Sequence, residues 1–207
     1  ILMLAVDLIV SNWMNVRFVG ANEIMNKHED VALWLAEQEG KFRIYSPSYS
    51  VPQQVAVVHG LELVDGIDPM QIASYVQFMN VAMGVPDQGY SVTIPPFANG
   101  NPEIDNRGYI PDAELLGYLN VRYITAEYDL PETSHFLFRT QIGSTRIYEN
   151  TLFMPRAWLQ SGTHLVNTSI TPITELVWRP NRIEMKAEGP GLLVLSEIAY
   201  PGWMVRV

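Results

Sequence analysis

Asp112-Ala113-Glu114-Leu115-Leu116-Gly117-Tyr118-Leu119-Asn120-Val121-Arg122-Tyr123-Ile124-Thr125-Ala126 marks a change of pattern in the chain. Its first half reads as a short helix, with Asp112 as N-cap and Leu115, Leu116 and Leu119 buried. Its second half, Val121 to Ala126, is rich in β-branched and aromatic residues and reads as a strand. Helices and strands mix before this point, and strands predominate after it. The expected class is therefore α+β: a mixed α/β N-terminal part followed by a mostly antiparallel, β-sandwich-like C-terminal part.

Downstream, Phe136 to Arg139, Thr145 to Glu149, Arg156 to Leu159 and Glu175 to Trp178 read as short strands. Arg182 to Ala187, Leu192 to Ile198 and Trp203 to Val207 continue the series, at a spacing of about ten residues with Gly, Pro and Asn turns between. Arg182-Ile183-Glu184-Met185-Lys186-Ala187 alternates strictly, as a strand with one wet face does. Leu192 to Leu195 is continuously apolar and is expected to be a central strand. The chain then stops at Val207, inside what reads as the next strand, so the sheet is expected to be truncated at the C-terminus with an unpaired edge near Trp203 to Val207.

Upstream, Asp30 is expected to cap a helix with Val31, Trp34 and Leu35 on its apolar face, stopped by Gly40. Phe42 to Tyr45 follows as a strand. A second helix starts at Asp68 as cap, with Pro69 at its first position and Gln71 three residues after the cap. Ile72, Tyr75, Val76, Met79 and Met83 repeat at helical spacing, and Gly84 and Pro86 end it. This Met and aromatic stripe reads as core packing, not as a cofactor box. Residues 85 to 111 form a long loop rich in Pro, Gly and Asn, of the kind that serves as a binding loop or lid. The expected organisation is an entry segment or membrane-helix end over residues 1–18, a mixed α/β part over 19–150, and an incomplete β-rich part over 151–207.

Of the 207 residues, 48% are hydrophobic and 17% charged, below the roughly 25% usual for charged residues in soluble domains, so a sizeable core can form. The net charge of -9 argues against nucleic acid as a partner and against electrostatic docking on anionic lipid. Without cysteine there is neither a disulfide nor a thiolate metal site. Ile1 to Val10 is apolar except for Asp7 and too short to cross a bilayer alone, which takes about 20 residues. It reads either as a buried element of the domain or as the outer end of a membrane helix, with Trp13 and Arg17 placed as interfacial anchors.

Several segments resemble the bacterial YfhO-like multi-spanning membrane proteins. Leu193-Val194-Leu195-Ser196-Glu197-Ile198-Ala199-Tyr200-Pro201-Gly202-Trp203 looks like their closing motif, and Leu119 to Ile124 like their helix-to-strand step. Ile147-Tyr148-Glu149-Asn150 with Met154-Pro155-Arg156-Ala157, and Lys41 to Ile44 with Gly60 and Val64 to Asp68, resemble further family segments. The likeness covers most of the chain, through motifs that are individually loose and moderately specific in their order. It implies an extracytoplasmic domain at the cell membrane, related to glycosyltransferases that use polyprenyl-linked sugars, with a structural or acceptor-binding role in this chain. It favours the membrane-helix reading of Ile1 to Val10. Partners would be the membrane, through helices outside this sequence, and a glycan or polyprenyl-linked sugar. The catalytic carboxylate of such transferases is expected in a loop between early membrane helices, so this chain is not expected to be catalytic alone.

No familiar catalytic signature is present. The strongest polar cluster is Glu103-Ile104-Asp105 with Arg107, in the long loop, where two carboxylates on an extended segment can meet sugar hydroxyls, a divalent ion or a phosphate. The ordinary alternative is a solvated turn. Asp65 and Asp68 flank Gly66, and a metal pair there competes with the capping role of Asp68. Tyr200 and Trp203 flank Pro201-Gly202 and either stack on sugar rings or close the core, and the apolar flanking strands favour the core. The candidate ligand-binding residues are thus Glu103, Asp105, Arg107, Tyr200 and Trp203. No metal site and no cofactor are expected. Two rival functions stand beside the membrane-domain reading: a free-standing carbohydrate-binding module, and a glycoside-acting enzyme with paired carboxylates.

Overall fold

The computed structural model describes residues 2–15, 19–21, 27–68, 70–86, 93–131, 135–162 and 169–206. Ile1, Arg17, Pro69 and Val207, named above, lie outside the described residues.

The class is α+β. The N-terminal part is built on a five-stranded sheet with order β2-β1-β3-β5-β4. Its strands are β1 (Arg43–Tyr45), β2 (Glu62–Leu63), β3 (Val121–Ala126), β4 (Phe136–Ile142) and β5 (Thr145–Asn150). β1 runs parallel to both β2 and β3, while β5 runs antiparallel to β3 and to β4.

Period-two alternation sends neighbouring residues of each central strand to opposite faces. Ile44, Tyr123 and Ile147 join Val31 and Leu35 of α2 (Glu29–Ala36) and Ala56 of α3 (Gln53–Val58) in one core. Their sequence neighbours Tyr45, Ile124 and Tyr148 join the other core. There they meet Met79 and Met83 of α4 (Ala73–Met83) and Leu116 of α6 (Ala113–Tyr118). Helices thus cover both faces, and each fully buried aliphatic side chain contributes about 1.5–3 kcal/mol.

The C-terminal part is antiparallel throughout. β6 (Ala157–Gln160) lies between β7 (Ile170–Pro172) and β10 (Leu192–Leu195), and β8 (Leu176–Arg179) pairs with β9 (Arg182–Met185). Two expectations fail here. Among the described residues, Leu192 to Leu195 is an edge strand, not a central one, with Leu192 and Leu193 exposed. Trp203 to Arg206 form no strand, so the open edge lies along β10 itself.

Two helix starts also differ. Asp30 sits inside the first turn of α2, where its Oδ1 accepts from Val31 N, and the residue before the helix is His28 in the left-handed region. Asp68 Oδ1 accepts from Met70 N at 2.8 Å, which closes a turn, and α4 starts only at Ala73. The expected core stripe holds: Val76, Met79 and Met83 are buried, and Gly84 follows in the left-handed region with φ 69°. The long loop contains α5 (Pro102–Asp105) and a 3-10 turn, Asn106–Gly108. At the helix-to-strand step, Asp112 Oδ1 caps α6 by accepting from Glu114 N and Leu115 N. Asn120, with φ 64°, then turns the chain into β3 and donates from Nδ2 to Met154 O.

Gly117 of α6 lies directly under the backbone of Leu152, and a Cβ there would run into the Leu152 carbonyl. Gly117→Ala is therefore expected to cost about 1–3 kcal/mol by overpacking, read as a fall in urea midpoint at unchanged slope.

Among the described residues, no side chain of the first helix, α1 (Leu2–Asn15), joins either core. Met3 is 89% exposed and Trp13 84%, and Val6, Leu8, Ile9 and Val10 are exposed as well. Asp7 and Ser11, four residues apart, lie on one side of it.

Candidate functional site

Three parallel strands point their carboxyl ends at the same end of the sheet, and polar side chains collect there. The loop after β1 carries Ser46, Ser48 and Ser50, all buried. Ser46 Oγ accepts from Val51 N at 2.9 Å and lies 3.1 Å from Ser50 Oγ. Ser50 Oγ donates to the Thr125 carbonyl of β3 at 2.8 Å. The loop after β2 carries Asp65, whose Oδ1 accepts from Ser46 N at 2.8 Å. Tyr75 of α4 donates its hydroxyl proton to Val64 O at 2.6 Å, tying the helix to the same loop. Thr93 N donates to Gly66 O at 3.0 Å, and Asn106 Nδ2 donates to Pro47 O and Pro95 O at 2.7 and 3.1 Å. The long loop therefore lies across the carboxyl ends of the strands.

Asp65 is the chemically unusual group. Burial raises its pKa to about 7, against the smaller opposing pull of the Ser46 and Asp65 backbone N–H groups. Burial also raises Tyr45, Tyr75 and Tyr128 above the ordinary tyrosine value, and the charge of Asp65 adds to the shift at Tyr45 and Tyr75.

The residues singled out from sequence lie elsewhere. Glu103 is exposed on α5, and Arg107 is exposed in the turn after it. Asp105 accepts from Asn99 N, Asn99 Nδ2 and Asn101 N at 2.7 to 3.0 Å, and the Asn99 side-chain bond leads in holding its carboxyl below the usual range. Its oxygens are thus engaged in closing their own loop. The residue that turns inward is Asn106, between Asp105 and Arg107, and it is fully buried. Tyr200 is 62% exposed and Trp203 50%, so these two do not close the core. The loop cluster and the two aromatics come from separate segments, and no contact described here joins them. Asp65 and Asp68 are likewise split, one buried and one spent on Met70 N. Among the described residues no three or more His, Asp or Glu side chains come together as a metal-ligand group.

A second polar assembly lies between the two parts of the protein. Glu197 Oε1 receives Arg43 Nη2 at 2.9 Å and Arg156 Nη2 at 2.5 Å. Arg156 Nη1 reaches Glu62 Oε2 at 2.9 Å, and the same guanidinium lies 5.0 Å from the Trp178 ring centroid. Arg43 Nη1 also donates to Leu119 O and Ser196 O, and Ser196 Oγ donates to Tyr118 O. Burial, and then the neighbouring Arg156 charge, lower the Arg43 pKa, while Glu197 and Glu62 oppose them. With its carboxylates satisfied by its own arginines, this assembly acts as a clasp between β1 and β2 on one side and the β6 and β10 ends on the other.

Compared with known proteins, the chain matches no family model, and no curated protein and no solved structure matches it.

Proposed function

We propose that this chain is an extracytoplasmic, membrane-attached domain of the YfhO-like kind, which works beside polyprenyl-sugar-dependent glycosyl transfer and engages a glycan acceptor. The observation that carries the reading is α1. Its exposed Met3, Val6, Ile9, Val10 and Trp13 leave a wide apolar surface in water, and burying each large side chain returns about 1.5–3 kcal/mol. At 14 residues α1 is about 21 Å long, less than the roughly 30 Å of a hydrocarbon core. Among the described residues no helix is long and apolar enough to cross a membrane. Trp13 suits the headgroup level, where indole rings gather. The net charge of -9 makes the attachment hydrophobic, not electrostatic.

Vesicle flotation tests this. The chain is expected to float with phosphatidylcholine vesicles, to gain nothing from added anionic lipid, and to stay bound in high salt. Val6→Asp combined with Val10→Asp is expected to abolish flotation. A chain that stays unbound with every vesicle composition defeats the proposal.

The exposure of Tyr200 and Trp203 favours one second reading, a carbohydrate-binding module with these rings as a stacking platform. Glycan-array binding that survives Tyr200→Ala and Trp203→Ala removes it.

A further inference from the structure

We infer that the carboxyl ends of β1, β2 and β3 form a binding site for a hydroxyl-rich ligand of the sugar class, contacted by Asp65, Asn106 and Tyr128. The choice of sugar rests on the glycan reading above, whereas the place of the site rests on the fold.

Among the described residues, six buried side-chain atoms have no hydrogen-bonding partner: Asp65 Oδ2, Gln71 Oε1, Asn106 Oδ1, Glu127 Oε2, Tyr128 OH and Asn120 Oδ1. Each such atom costs about 1–3 kcal/mol, and native proteins keep few of them. The first five sit on the loops after β2 and β3 and on the segments that cover them. Asp65 follows β2, Glu127 and Tyr128 follow β3, Gln71 donates to Thr93 Oγ1 and Gly66 O, and Asn106 reaches Pro47 O behind β1. The loop after β3 meets the loop after β1 where Glu127 N donates to Ser48 Oγ at 3.3 Å, and the loop after β2 meets it where Ser46 N donates to Asp65 Oδ1 at 2.8 Å.

The topology points to the same end. From β1 the chain goes to β2 on one side and then returns to β3 on the other side of β1. Such a reversal leaves a crevice outside the strand carboxyl ends, the usual ligand position in open α/β sheets. The loop after β1 also holds Tyr49 with φ 59°, a left-handed conformation that costs a non-glycine residue energy and recurs at functional loops.

The unpaired atoms define the ligand. Three of the five are amide or carboxylate oxygens that accept, Asp65 Oδ2 accepts when its carboxyl is ionised, and the fifth is a hydroxyl, so the ligand must be rich in hydrogen-bond donors, as sugar hydroxyls are. No cationic side chain contributes to the shift of Asp65. Its carboxyl, poised near neutrality, can meet a hydroxyl as acceptor or as donor. Asp65 is 5% exposed, Tyr128 7% and Asn106 0%, so entry requires the 93–108 segment to lift. Its described bonds to the sheet end are few, chiefly Asn106 to Pro47 O and Thr93 to Gly66 O.

The test is titration of the whole chain, followed by amide NMR, with the methyl glycosides of glucose, galactose, mannose and N-acetylglucosamine. At least one is expected to bind saturably and to slow amide exchange in residues 93–108. Asp65→Asn is expected to weaken that binding about tenfold, the equivalent of one good hydrogen bond. Tyr128→Phe, which removes one unpaired hydroxyl and keeps the ring, is expected to weaken it several-fold and serves if Asp65→Asn fails to fold. Tyr200→Ala with Trp203→Ala is expected to change nothing. Absence of binding by all four glycosides overturns the inference, as does binding unchanged in the folded variants or lost with the two C-terminal aromatics. None of these outcomes bears on α1, which flotation tests separately.

Discussion

Glu197→Ala is expected to be the most destabilising of the single changes considered, at about 3–5 kcal/mol. Glu197 Oε1 is shared by Arg43 and Arg156, whose side chains are only 13% and 10% exposed. Removing it leaves two buried guanidiniums side by side with Glu62 alone to balance them. For a chain of this length the loss corresponds to a fall in Tm of roughly 10 °C. The clasp joins β1 and β2 to the ends of β6 and β10, so the variant should also be cut faster by protease in the C-terminal part than in the five-stranded sheet. A double-mutant cycle of Glu197→Ala with Arg156→Ala should show strong coupling. A loss below about 1 kcal/mol would place the assembly with ordinary surface ion pairs and refute the clasp.

Asp65→Asn is expected to act through pH. The folded-state pKa of Asp65 is about 7, above the ordinary carboxylate value of 3.8. Between those two values the folded chain holds a proton that the unfolded chain has released, so stability falls as pH rises through that window. The shift of about three units corresponds to about 4 kcal/mol, lost in full above the folded pKa. Wild type and variant should therefore be most alike near pH ~4, and the variant should gain steadily on wild type up to about pH 8. Denaturant unfolding across this range measures the difference directly. A constant difference would mean that Asp65 is ionised in the folded protein and that its burial is compensated.

The sequence carried much of the local structure. Val121 to Ala126 is a strand because its residue types suit a buried central position, and Asp112 caps α6 because its short carboxylate reaches two free N–H groups. The misplaced starts have a common cause. Asp68 and Asp30 can bond nearby backbone N–H groups in a turn or inside the first helical turn as readily as at a cap, and spacing alone does not choose. Leu192 to Leu195 was legible as a strand but not as an edge, since an apolar run records the character of its side chains and not the number of neighbouring strands.

The candidate site was less legible, because its members meet only in the fold. Glu103, Asp105 and Arg107 stand out as a polar run in a loop, yet the inward residue is Asn106, and nothing local in the sequence says which of the five residues from 103 to 107 will turn in. Asp65 was visible only beside Gly66 and Asp68. What makes it unusual is burial and contact with Ser46, in the loop after the neighbouring strand. The clasp draws Arg43, Glu62, Arg156 and Glu197 from four separate segments, and no spacing rule connects them.

The central claim is that the apolar surface of α1 lies in lipid. The chain has no cysteine, so single nitroxide labels can be placed cleanly on Val6→Cys, Val10→Cys and, as a control on the far smaller exposed surface of α3, Val57→Cys. With phosphatidylcholine vesicles present, the labels at positions 6 and 10 should become accessible to oxygen and shielded from a water-soluble nickel relaxant, while the label at 57 stays in water. Labels at 6 and 10 that remain as exposed to the nickel reagent as the one at 57 would contradict the account.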